Sequence, residues 1–68
     1  MTGKDIQDAR LIANLSLRDL SALTGIPFST IRRIENDINR TAYGDVVRVL
    51  ETLDLRLVVR FEYLSQSF

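Results

Sequence analysis

The chain has 68 residues, and nine Lys plus Arg balance nine Asp plus Glu. A chain this short buries only about 60% of the surface its unfolded form exposes, so it is marginal alone and usually needs a staple, a metal or a second copy. With no Cys and no His, disulfides, zinc fingers and His-based catalysis are excluded, no cofactor or metal site is expected, and a partner copy is the expected reinforcement.

The start of the chain, Met1 to Asp8, is polar and carries Lys4, Asp5 and Asp8, so no leader peptide is expected. Thr2 and Asp5 have capping-box spacing, which opens a first helix over Gly3–Asn14. Ile6, Ala9, Ile12 and Ala13 give that helix one apolar stripe. Ser16 is an N-cap for a second helix, Leu17–Thr24, because its hydroxyl can accept from the Asp19 N–H. Leu17, Leu20, Ala22 and Leu23 supply its inner side. Gly25 stands where a helix end wants positive φ.

Pro27 suits the first position of a third helix, Pro27–Asn36. Ile31 and Ile34 point one way along it; Phe28, Ser29, Arg32, Arg33 and Asn36 lie largely on the other side. A fourth helix runs over Ala42–Leu53, with Thr41 as its N-cap and Tyr43, Val46, Val47, Val49, Leu50 and Leu53 as its apolar residues. Beyond it the pattern changes to alternation. Leu55, Leu57, Val59, Phe61 and Tyr63 fall on one side, and Arg56, Val58, Arg60 and Glu62 on the other. Period two with β-branched and aromatic residues predicts a half-buried strand. Nothing else in the chain reads as a strand, so this one is expected to pair with its copy across a two-fold axis. A C-terminal helix or a frayed tail is the alternative.

No apolar run approaches the roughly 18 residues of a membrane span, and the absence of Cys fits a cytoplasmic protein. Neutrality argues against a protein that coats nucleic acid without specificity, although the local distribution of charge matters more than its sum. Eight of the nine cations are Arg, whose planar fork suits phosphate and guanine edges. No nucleophile–base pair or Gly-rich phosphate loop is present, so an enzyme is not expected.

Residues 16–36 have the logic of a helix-turn-helix: a short helix, a stop at Gly25, a turn of about three residues and a second helix. Leu20, Leu23, Ile26, Ile31 and Ile34 are the expected lock between the two. The stretch LSLRDLSALTGIPFSTIRRIENDINR resembles the Cro/C1 (Xre) type of helix-turn-helix, and GIPFSTIRRIEN resembles its recognition helix. The continuation NRTAYGDVVRVLETLDLRLVV is similar to HipB-type antitoxins, in which four helices precede a strand that completes a dimer sheet. The implied fold is mainly α and lambda-repressor-like: one domain over 1–68, helical over 1–54, with a dimerisation strand over 55–63 and a tail over 64–68.

The resemblance implies a homodimeric repressor on a palindromic DNA operator, bacterial or phage-encoded, and for the HipB-like match an autoregulating antitoxin with a kinase-like toxin partner. A phage or mobile-element repressor without a toxin, and an interaction module that has lost DNA binding, are the alternatives. Phe28, Ser29, Arg32 and Arg33 are the candidate base readers: Arg can fork onto guanine O6 and N7, and Phe can touch a thymine methyl. Ser16, Arg18, Thr30, Asn36, Asn39, Arg40 and Thr41 are candidate phosphate contacts. Arg18 lies in the first turn of its helix, against the dipole, and a phosphate would resolve that conflict. Each of these residues has a plainer reading as solvated surface or loop chemistry. Arg10 and Glu35 are implied to be a structural pair joining the first and third helices.

The chain departs from the family pattern at three places. Pro27 replaces a capping Ser or Thr, and Leu17 replaces a polar residue that reaches a phosphate, which leaves open whether these two positions contact DNA. Asp37 replaces a Gly, and Asp tolerates the left-handed backbone expected there.

Overall fold

The computed structural model describes residues 1–66. Its order is α1 (Gly3–Ile12), α2 (Leu17–Thr24), α3 (Phe28–Asn36), a 3-10 turn (Ile38–Arg40) and α4 (Tyr43–Gln66). Reciprocal capping boxes open the first two helices. Asp5 N–H donates to Thr2 Oγ1 at 3.3 Å while Thr2 N–H donates to the Asp5 carboxylate at 2.8 Å. Asp19 N–H donates to Ser16 Oγ at 2.9 Å, and Ser16 N–H returns to Asp19 at 2.9 Å. These bonds satisfy donors that a helix start otherwise leaves open.

One core joins all four helices. Ile6 from α1, Leu20 from α2, Ile26 from the turn, Ile31 and Ile34 from α3, and Val46, Val49 and Leu53 from α4 are buried together. The apolar positions of α3 and α4 recur at steps of three and four, which keeps one stripe facing that core. Gly3 lies where α1 meets the end of α3. A methyl group there would collide with the backbone carbonyls of Ile34 and Glu35, so only glycine allows this approach. Gly25 ends α2 with φ of 75°, in the left-handed region that lacks a penalty only for glycine.

Several boundaries and faces differ from expectation. α1 stops at Ile12, with Ala13 as its cap and Asn14 in the left-handed region at φ 61°. Ile12 is 56% and Leu23 40% exposed; the inward position near the end of α2 belongs to Thr24. Its hydroxyl donates to Leu20 O at 2.8 Å and accepts from Ile26 N–H at 3.2 Å, so it is a buried polar group fully bonded. Pro27 caps α3 rather than joining it. Thr41 does not cap α4. It turns its hydroxyl back to Ile38 O at 2.8 Å, and Ala42 O accepts the first α4 bonds, from Asp45 and Val46. Tyr43 is exposed. Asp37 has φ −155°, not the left-handed backbone, and its carboxylate meets Arg40 at 3.1 Å.

The largest correction concerns the C-terminal strand. Residues Leu55–Tyr63 are helical, a continuation of α4, and no strand occurs among the described residues. The reason is backbone satisfaction. With no second strand to pair with, an extended segment would leave its N–H and C=O groups open, whereas a helix closes them on itself. No Gly or Pro interrupts 45–66, and Leu50, Leu53 and Leu57 keep helical spacing across the expected boundary. The alternating residues therefore do not share one face. Leu55, Val59 and Tyr63 form one ridge at steps of four, while Leu57 and Phe61 form another. The first part of the expected tail, residues 64–66, is helical too, and Ser67 and Phe68 lie outside the described residues.

Candidate nucleic-acid interface

The turn between α2 and α3 is held from both sides. Ser21 Oγ donates to Ile26 O at 2.6 Å, and Thr24 holds the Ile26 N–H. From below, Arg48 of α4 donates to Thr24 O at 3.4 Å, at the end of α2 where a cation is favourable. Ile26, Ile31 and Ile34 sink into the core, so the opposite side of α3 must face outward.

That outward side carries Phe28, Ser29, Arg32 and Arg33, all exposed. Phe28 is 38% exposed, with two guanidinium groups over its ring. The guanidinium carbon of Arg18 lies 5.2 Å from the ring centroid, and that of Arg32 lies 5.9 Å. Both distances fall within the range of a cation–π contact. The structure thus joins Arg18, expected at a phosphate, to two of the expected base readers. Among the described residues, none of Arg18, Arg32 and Arg33 belongs to an ion pair. Lys4 is paired with Asp8 and Arg40 with Asp37. The neutral chain therefore holds three uncompensated cations on its helix-turn-helix.

The remaining phosphate candidates divide. Ser16 is exposed at the start of α2, with its oxygen accepting from Asp19. Asn36, at the end of α3, and Asn39 and Arg40, on the 3-10 turn, are exposed. Thr30 is half-buried, and Thr41, also half-buried, is engaged with Ile38 O. Arg10 and Glu35 lie on the opposite side, away from solvent. Arg10 Nε donates to Glu35 at 2.8 Å and Nη2 donates at 3.1 Å, a two-pronged pair whose side chains are 8% and 5% exposed. Nη1 also donates to Leu15 O at 2.9 Å. One guanidinium thus ties α1 to α3 and fixes the turn into α2.

The capping boxes have an electrostatic trace. The Ser16 backbone N–H, with its hydroxyl, holds the Asp19 carboxyl below its ordinary value of 3.8. Thr2 does the same for Asp5, backbone first.

A family profile described as helix-turn-helix matches residues 6–59. The chain belongs to the Cro/C1-type (Xre) helix-turn-helix family of DNA-binding transcription regulators. No curated protein and no solved structure matches it. As a helix-turn-helix protein it presents α3 as the recognition helix and α2 as the helix that braces it. None of its described helices is long and apolar enough to cross a membrane.

Sequence reasoning missed three contributors to this site. Gly3 had only a weak signal, as a poor helix former at the first position of the expected helix. Thr24 was passed over as a polar residue at a helix end although its partners, Leu20 and Ile26, are local, and the approach of Arg18 to Phe28 had no signal, because nine residues, the turn among them, lie between the two.

Proposed function

We propose that the protein is a sequence-specific transcriptional repressor that binds a palindromic operator as a homodimer. The observation that carries the reading is the set of three cations, Arg18, Arg32 and Arg33, that lack carboxylate partners on the exposed side of the helix-turn-helix. Arg33 and Arg32 serve base edges; Ser29 and Phe28 complete the reading surface; Arg18, Ser16, Thr30, Asn36, Asn39, Arg40 and Thr41 serve the backbone. Such a protein works in the cytoplasm, where its operator is.

The second copy is supported by the outer half of α4. Leu55, Val58, Val59, Phe61 and Tyr63 are 50–69% exposed within one stretch of helix, more apolar surface than a small monomer ordinarily leaves in water. A two-fold pair of such helices would cover it, and the operator reading requires that pair to set two recognition helices in successive major grooves, about 10 bp apart. The resemblance to HipB-type antitoxins rests on the spacing and apolar pattern of the C-terminal half, which forms α4 where those proteins carry a strand; within the repressor reading, a kinase-like toxin is the partner that resemblance implies. Co-purification with such a protein is its direct test.

Selection from random duplex DNA, followed by affinity measured against salt, tests the repressor reading. A palindrome and a steep salt dependence are expected. An interaction module that has lost DNA binding enriches no sequence. Sedimentation of Phe61→Glu tests the dimer, which is expected to dissociate while the core stays folded.

A further inference from the structure

Phe28 occupies the first position of α3 and Arg32 lies one turn further along the same side. Arg18 reaches the same ring from α2. Both guanidinium carbons lie over the ring, at 5.2 and 5.9 Å, and among the described residues no hydrogen bond takes up the N–H donors of either guanidinium. The three side chains therefore hold two forks in place with their donors open, and neither fork has a carboxylate partner. Two like charges on one ring repel, and an anion or a row of acceptors relieves that repulsion.

We propose that Phe28 is the positioning and specificity residue of this surface, setting Arg18 on a phosphate and Arg32 on a guanine. Its exposed ring edge contacts the 5-methyl group of the pyrimidine next to that guanine. Ring and guanidinium are 5.9 Å apart, between one and two rises of about 3.4 Å per base pair. Arg32 and the ring, side by side on α3, are assigned to neighbouring base pairs. The preferred element is a 5-methylpyrimidine beside guanine. Thymine and 5-methylcytosine carry the same methyl group in the major groove. The inference rests on the DNA-binding reading above and adds the chemical identity of one step in the operator.

The test uses the full chain and a duplex taken from the random selection. Each thymine beside a guanine is replaced by deoxyuridine, which removes only the methyl group, or by cytosine and 5-methylcytosine. Affinity is read by fluorescence anisotropy. Deoxyuridine at one such step in each half-site is expected to weaken binding about threefold to tenfold, and 5-methylcytosine is expected to bind more tightly than cytosine there. Phe28→Ala should lose this discrimination. It should also lower the salt slope by about one per half-site, as Arg18→Ala does, and the two substitutions combined should lower it no further. Phe28→Leu should keep part of the methyl preference yet lose the salt-slope effect, which separates positioning from packing. Circular dichroism checks that each variant is folded.

Indifference to deoxyuridine at every step, or independent effects of Phe28→Ala and Arg18→Ala on the salt slope, overturns this proposal while leaving DNA binding intact. Failure to enrich any sequence removes the DNA-binding reading itself, and this inference with it.

Discussion

Arg10 and Arg32 carry the same side chain to opposite ends. Arg10 is buried between α1 and α3, and its donors go to Glu35 and Leu15. Arg32 is exposed on α3, lies over the Phe28 ring and has no carboxylate partner. The first guanidinium sets the geometry of the helix-turn-helix; the second is left available by it. A helix-turn-helix needs both kinds, because a recognition helix reads DNA only as accurately as the body behind it is fixed. The neutral total charge hides this division: Lys4, Arg10 and Arg40 sit in ion pairs, while Arg18, Arg32 and Arg33 on the helix-turn-helix do not.

The sharpest way to break the comparison is Arg10→Ala. It strands Glu35 in a site 5% exposed and should lower stability by about 3–5 kcal/mol, measured by denaturant unfolding. Arg10→Met combined with Glu35→Leu should recover much of that loss, because an apolar pair carries no desolvation penalty. If Arg10→Ala melts like the parent protein, the inner pair does not organise the fold.

Gly3→Ala comes next. Its methyl group meets the Ile34 and Glu35 carbonyls, and relieving that overlap should lower stability by about 1–3 kcal/mol. Thermal melts would show it, and α1 would have to shift from α3. On the outer side, Arg33→Ala should weaken operator binding by about 1–3 kcal/mol and relax specificity at one position. Its melting temperature should stay near that of the parent, the reverse of Arg10→Ala.

The smallest effects concern the caps. Ser16→Ala should lower stability by about 1 kcal/mol. Asp5 and Asp19 titrate below their ordinary value of 3.8. At acid pH the unfolded chain therefore binds more protons at these groups than the folded chain. Their contribution is full above that ordinary value and is lost as pH falls through the lowered folded values. Asp19→Asn should flatten part of this acid decline and leave the neutral-pH profile parallel to that of the parent protein.

Much of the fold was legible because local chemistry decided it. The Thr2–Asp5 and Ser16–Asp19 boxes and Gly25 marked helix ends at fixed short spacing, and α2 lies over the expected Leu17–Thr24. Ile6, Leu20, Ile31 and Ile34 recurred at helical steps and are buried. The sequence was ambiguous where burial ends. From Leu55 onward apolar residues occur on nearly every side, so the same letters fit a strand at period two and a helix with two ridges. Which wins depends on where backbone hydrogen bonds can close, and that is not written in side-chain order.

By itself, the sequence determined the caps of the first two helices, the buried positions Ile6, Leu20, Ile31 and Ile34 and which residues of α3 lie on its outer side, because each depends on neighbours within a turn or two. Only the tertiary structure decided that α4 continues through Leu55–Tyr63 and that Gly3 is pressed against two carbonyls. It alone brought Arg18 across to Phe28. Those outcomes arise from packing between segments far apart in the chain, where distance in space, rather than spacing in sequence, sets the energy.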